Sequence, residues 1–155
     1  MTEKGEPVEY GELNILYQDE YFVAIDKPAG LLVHRSFLDK HETQFAMQML
    51  RDQLGQHVFP VHRLDRPTSG VLLFALSSES ARDMNKLFIE GTITKRYLAL
   101  VRGFAPESVF VDKPLKEELD KIADKFATQD KAPQAAQTQF NCLHQATLPI
   151  PIGKY

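Results

Sequence analysis

The nine residues His62-Arg63-Leu64-Asp65-Arg66-Pro67-Thr68-Ser69-Gly70 constrain this chain more than any other stretch. One carboxylate sits between two arginines. A proline, two hydroxyls and a glycine follow, and then the apolar run Val71-Leu72-Leu73-Phe74-Ala75-Leu76. A continuous apolar run of this length, bounded by turn residues, predicts a buried central strand. Val58, Phe59 and Val61 on the other side predict a buried lead-in. A polar turn held between two buried arms is where a rigid scaffold presents reactive groups. The flanking guanidiniums favour the charged form of Asp65. Taken alone, an aspartate between two arginines reads far more readily as an ordinary ion-paired turn.

The surrounding sequence predicts mixed elements. Residues 13–17 alternate and predict a strand, 18–20 a turn, and 21–26 a second strand, so the pair reads as a hairpin. Lys27-Pro28-Ala29-Gly30 breaks that run. Phe45, Ala46, Met49, Leu50 and Leu54 recur at helical spacing, with Thr43 as N-cap and Gly55 as stop. Ser77 or Ser78 caps a second predicted helix that runs to about residue 90, with Ala81, Met84, Leu87 and Phe88 on one face and Gly91 after it. Residues 97–102 predict a strand, 113–115 a bend, 117–127 a short helix with a solvated face, and 134–143 a strand. Residues 1–12 are polar and read as a frayed terminus. The fold class expected is α+β around a largely antiparallel sheet.

Composition narrows the function. With 155 residues the chain fits one domain with a real core. The single cysteine, Cys142, excludes an internal disulfide, fits a reducing compartment and reads as a small buried apolar residue. No apolar run reaches membrane-spanning length, so a cytoplasmic protein without a membrane partner is expected. The net charge is −3, but it is uneven: residues 1–20 carry −5, residues 21–102 carry +3 and residues 103–155 carry −1. Binding of RNA needs local positive charge, not a basic whole. The segment around Asp65 meets that condition. The chain has no GxxxxGK[ST], GxGxxG or HExxH string. Its five histidines lack zinc-site spacing.

The nine-residue string resembles the catalytic motif HRLDxxTSG of pseudouridine synthases of the RluA family. Asp26 to His34 is similar to that family's KPAGLxVH segment, and Thr94 to Val101 to its KxYxAxV strand. Further stretches, among them 55–59 and 117–127, are similar to members that act on tRNA. The likeness covers about residues 13–155.

That resemblance implies the pseudouridine synthase fold and an isomerase that needs no cofactor and no metal. The reaction breaks the C–N glycosidic bond of a uridine and rebuilds it as C–C at carbon 5 of the base. It implies Asp65 as the catalytic residue and Tyr97 as the floor of the base pocket, where an aromatic face stacks on a base for ~1–3 kcal/mol. Arg63 would pair with phosphate or fill the gap left by an extruded uridine. His62 would orient the turn by hydrogen bonding beside the substrate. Thr68 and Ser69 would cap the turn, and Gly70 would permit close backbone approach. Lys27, Arg35, Arg66, Lys95 and Arg96 are the candidate RNA contacts, and His34 a lesser one. The expected partner is RNA, with tRNA preferred to rRNA, and the chain is expected to be a monomer. A non-catalytic RNA-binding module is the competing class, and a hydrolase lacks an evident second carboxylate. Family members continue past the position of Tyr155 and carry there a basic RxHQxR-like motif. The chain is therefore expected to be an N-terminal portion of the catalytic domain, with an incomplete sheet, weak RNA binding and little turnover by itself.

Overall fold

In a computed structural model of the chain, the residues described are 9–35, 42–116, 132–147 and 149. They fall into two compact units, residues 1–96 and 97–155, described separately here.

The first unit is built on a hairpin. Strand β1 (Asn14–Gln18) pairs antiparallel with β2 (Phe22–Lys27). The turn between them is closed by Asp19, whose Oδ1 accepts the backbone N–H groups of Tyr21 and Phe22 at 2.8 and 2.6 Å. Helix α1 (Ala46–Leu54), the short strand β3 (Phe59–Pro60), strand β4 (Gly70–Ala75) and helix α2 (Ser78–Glu90) follow. All pairings in the sheet are antiparallel, in the order β1-β2-β4-β3.

Strand alternation divides the core between the two faces of this sheet. Val23 and Ile25 of β2 and Leu72 and Phe74 of β4 pack on one face with Ala46 and Leu50 of α1 and with Leu31, Val33 and Leu64. Phe22, Leu73 and Ala75 pack on the other face with Val61, Phe59 and Ala81, Met84 and Phe88 of α2. The two arms of the nine-residue turn are thus anchored in the core, through Val61 and Leu64 on entry and through β4 on exit.

Helix α2 starts where the sequence places it. Ser77 Oγ accepts the Ser80 N–H at 3.0 Å, and Gly91 ends the helix. Helix α1 does not start at Thr43. Its cap position is Phe45, with no side-chain hydrogen bond. The first N–H groups, of Ala46 and Met47, donate instead to the carbonyls of Leu32 and Val33 at 2.8 and 3.0 Å. A neighbouring segment satisfies the donors that a capping residue would otherwise serve.

Residues 9–13 run along α1, clipped by two side-chain amides. Gln44 exchanges two hydrogen bonds of 2.9 Å with the backbone of Tyr10, and Gln53 exchanges bonds of 2.8 and 3.0 Å with that of Leu13. Each amide offers the donor and acceptor that a partner strand would.

In the second unit, strand β5 (Ser108–Asp112) pairs antiparallel with β6 (Gln137–Asn141). The sequence reading found β6 and missed β5. It also assigned a strand to 97–102, and residues 92–101 form none. A strand exists only through its ladder, and the side chains here are open to solvent, with Leu98 at 88%. Cys142 is half-buried, not enclosed. Residues 117–127, read as a helix, lie outside the described residues. No helix among the described residues is long and apolar enough to cross a membrane.

Candidate active site

The turn 62–70 is built from the backbone outward. The Thr68 N–H donates to the Asp65 carbonyl at 3.0 Å and closes the bend. The Gly30 N–H donates to the Arg66 carbonyl at 2.8 Å, which joins the 28–30 turn to the 62–70 turn. Gly30 has φ +89, and a β-carbon there would lie 2.6 Å from the Tyr10 hydroxyl, so both conformation and space call for glycine. Gly70 also has positive φ, +116, but open space around it. Its role is to carry the turn into β4, not to allow the close approach expected from sequence. Neither the Thr68 nor the Ser69 hydroxyl makes a hydrogen bond among the described residues.

Lys27 lies opposite Gly70 in the β2–β4 register and is completely buried, at 0% exposure. Its Nζ donates to the carbonyls of Leu31, Pro28 and Arg66 at 2.8, 2.9 and 3.3 Å. The reading of Lys27 as an RNA contact is therefore corrected. All three ammonium donors are directed at backbone carbonyls, and none reaches the surface. Burial pushes its pKa down, and the charge of Asp65 opposes that shift. Lys27 fastens the 28–31 turn to the 62–70 turn.

Arg66 differs from Lys27 in staying exposed, with its side chain at 48%. Its guanidinium pairs with Glu42 at 2.6 Å, and its Nε donates to the Gly30 carbonyl at 3.1 Å. The sequence reading took Arg66 as a guardian of the Asp65 charge and as an RNA contact. The structure ties it to Glu42 and to the 28–30 turn. Glu42 gave no signal in the sequence, because the ion pair spans 24 positions.

His62 stands below the turn, between sheet and helix. Its Nε2 accepts the Leu73 N–H at 3.0 Å, and its ring packs on Phe88 with centroids 5.4 Å apart. Burial lowers its pKa; a hydrogen bond with the Arg63 backbone works against that, and the Lys95 charge adds to it. The hydrogen bond and the ring contact fasten His62 to β4 and α2. With Nε2 occupied by a backbone amide, the ring is a support for the turn.

Asp65 remains. Its residue is exposed, and its carboxylate makes no hydrogen bond or ion pair among the described residues. Arg63, His34, Arg35, Lys95 and Arg96 are exposed as well. Tyr97 opens the second unit with its ring 63% exposed. The site is thus a bend that displays a carboxylate and a guanidinium, Arg63, without hydrogen-bond or ion-pair partners among the described residues, with further cations on the same unit at 35, 95 and 96. Such a carboxylate can serve as nucleophile or base. Among the described residues, no group of three or more His, Cys, Asp or Glu side chains is placed to hold a metal ion.

The profile of the family described as RNA pseudouridylate synthase matches residues 21–151. The chain belongs to this family. It is 62% identical over 143 residues to a tRNA pseudouridine synthase C of Vibrio cholerae, an alignment covering 92% of this chain and 59% of that protein. The protein of the same name from Haemophilus influenzae is 61% identical, with 92% and 60% covered. The chain thus spans about three-fifths of the length of these relatives. The solved human RNA pseudouridylate synthase domain-containing proteins 1 and 4 superpose with TM-scores of 0.63 and 0.58 at 24% identity. They cover 86% of this chain and 53% and 54% of their own, and they agree with the α+β fold found here.

Proposed function

We propose that this chain is the Asp65-bearing, N-terminal portion of a catalytic domain that isomerises a specific uridine of tRNA to pseudouridine. The observation that carries this reading is the placement of Asp65. It is the one carboxylate of the HRLDxxTSG string, and among the described residues it makes no hydrogen bond or ion pair, on a bend whose neighbours His62 and Arg66 are engaged by the fold. The family match supplies the reaction class, and the relatives named tRNA pseudouridine synthase C support tRNA as the substrate.

Asp65 attacks the uridine or removes a proton from its sugar, which needs an ionised oxygen held in a fixed place. Arg63 contacts phosphate or occupies the space vacated by the extruded base, because a base in structured RNA must leave its stack before its ribose bond is accessible. Tyr97 offers an aromatic face for stacking. Arg35, Lys95 and Arg96 meet backbone phosphates, where each contact contributes to a salt-dependent affinity. The product is an isomer of the substrate, so the atoms balance without a cofactor. A cytoplasmic location follows from that substrate.

The test is a chimera in which this chain replaces the matching three-fifths of the Vibrio cholerae relative. Incubated with unmodified tRNA and with rRNA, it is expected to form pseudouridine at one position of tRNA, mapped by chemical labelling and sequencing. Modification of rRNA alone would reassign the substrate. No modification of either would contradict the reading.

A further inference from the structure

The β3–β4 ladder stops early. Its register ends at Pro60↔Phe74, and the next N–H on that edge of β4, that of Leu73, needs another acceptor. A buried backbone donor without one costs ~1–3 kcal/mol. His62 Nε2 takes it at 3.0 Å. An imidazole nitrogen that accepts a hydrogen bond carries no hydrogen itself, so the ring is neutral with its proton on Nδ1. A proton added at Nε2 would set donor against donor. The ring could not turn aside cheaply, because it is wedged against Phe88.

Three residues beyond His62 lies Asp65, and between them Leu64 is locked into the core. We infer that His62 is a positioning residue for Asp65 that works only as the neutral imidazole, and that protonating Nε2 releases the Leu73 amide and loosens the arm that presents the aspartate. The catalytic consequence rests on the function proposed above; the structural switch does not.

The surroundings favour the neutral ring. β3 and β4 carry no titratable side chain. The charged residues of α2, Glu79, Arg82, Asp83, Lys86 and Glu90, are all exposed, and Asp83 and Lys86 pair with each other at 2.8 Å. From the segment after α2, Lys95 acts on the ring with like charge. Burial, the largest influence, depresses the ring's pKa below its ordinary 6.5. Below pH 6.5 the unfolded chain therefore takes up this proton before the folded one does. Stability is lost as the pH falls from there through the folded midpoint.

Two measurements separate the switch from the reaction. In labelled 155-residue chain, NMR titration is expected to show the His62 ring and the Leu73 amide changing with one midpoint, below 6.5. The amides of residues 64–68 should move with them. A Leu73 amide or a turn that stays still as His62 titrates overturns the inference, as does a midpoint at or above 6.5. In the chimera, kcat/KM is expected to fall about tenfold per pH unit on the acid side. In His62→Gln, whose amide oxygen accepts without titrating, the acid midpoint should move to lower pH. An acid midpoint unmoved by His62→Gln in an active chimera overturns the inference and leaves the reaction standing. A working switch in the NMR titration with no pseudouridine from the chimera overturns the proposed reaction, and with it the catalytic half of the inference.

Discussion

Replacing Asp65 with asparagine in the chimera is expected to lower single-turnover pseudouridine formation by about 10³-fold or more, the scale of losing a reacting nucleophile or base. The substitution keeps the shape of the side chain and removes its charge. The carboxylate supports nothing in the fold by hydrogen bonding among the described residues, so the effect on stability should stay within ~1 kcal/mol. The affinity for tRNA should hold or rise slightly, because one negative charge facing phosphates is gone. This combination, of lost chemistry with kept binding, separates an enzyme from an RNA-binding module. Retention of a tenth of the wild-type rate would remove Asp65 from its role.

Replacing Lys27 with methionine is expected to cost about 2–5 kcal/mol of folding stability. Methionine fills similar space and brings no charge into the core, so a gain would be the outcome if the ammonium were a buried charge without partners. It has three. Two of the carbonyls that it serves, of Pro28 and Leu31, would lose the donor recorded here, while that of Arg66 keeps the Gly30 N–H. Orphaned acceptors in a buried setting cost ~1–3 kcal/mol each. Because burial already lowers the Lys27 pKa, part of this stabilisation is offset by desolvation of the charge. Wild-type stability should accordingly rise as the pH climbs from the folded midpoint toward the unfolded value of 10.5. Lys27→Met removes that dependence. Urea denaturation across pH checks both statements; an unchanged or higher midpoint at neutral pH would show that the ammonium does not hold the site together.

Local signals in the sequence were sufficient for the parts of the fold that depend on local chemistry. The β1–β2 hairpin, the apolar run of β4 and the Ser77 cap of α2 all follow from neighbours within a few positions. The start of α1 was misplaced because its first donors are served by Leu32 and Val33, which no capping pattern announces. Residues 97–102 have strand composition, yet composition supplies no partner. Conversely β5 was overlooked because Val109 and Val111 alternate over too short a span to stand out.

At the site, the chemistry-bearing residue types were legible and their directions were not. Lys27 stands in the 26–34 segment, Asp65 and Arg66 in the nine-residue string, and all three are charged residue types. Only packing shows that Lys27 is enclosed, that Arg66 is tied to Glu42, and that Asp65 has no hydrogen bond or ion pair among the described residues. The motif predicted hydrogen bonding by His62. Its partner, a backbone amide eleven positions away, could not be read there, because it depends on where the β3–β4 ladder ends.

The central claim is that buried fasteners hold the turn rigid and so present the Asp65 carboxylate in a fixed place. Hydrogen exchange at the Gly30 amide measures this most directly, because that N–H joins the 28–30 turn to the 62–70 turn through the Arg66 carbonyl. It should exchange within about tenfold of the rate of the β2–β4 ladder amides, through the same global opening. Exchange ~10³-fold faster than that ladder would mean that the turn opens independently, and the rigid presentation of Asp65 would be contradicted.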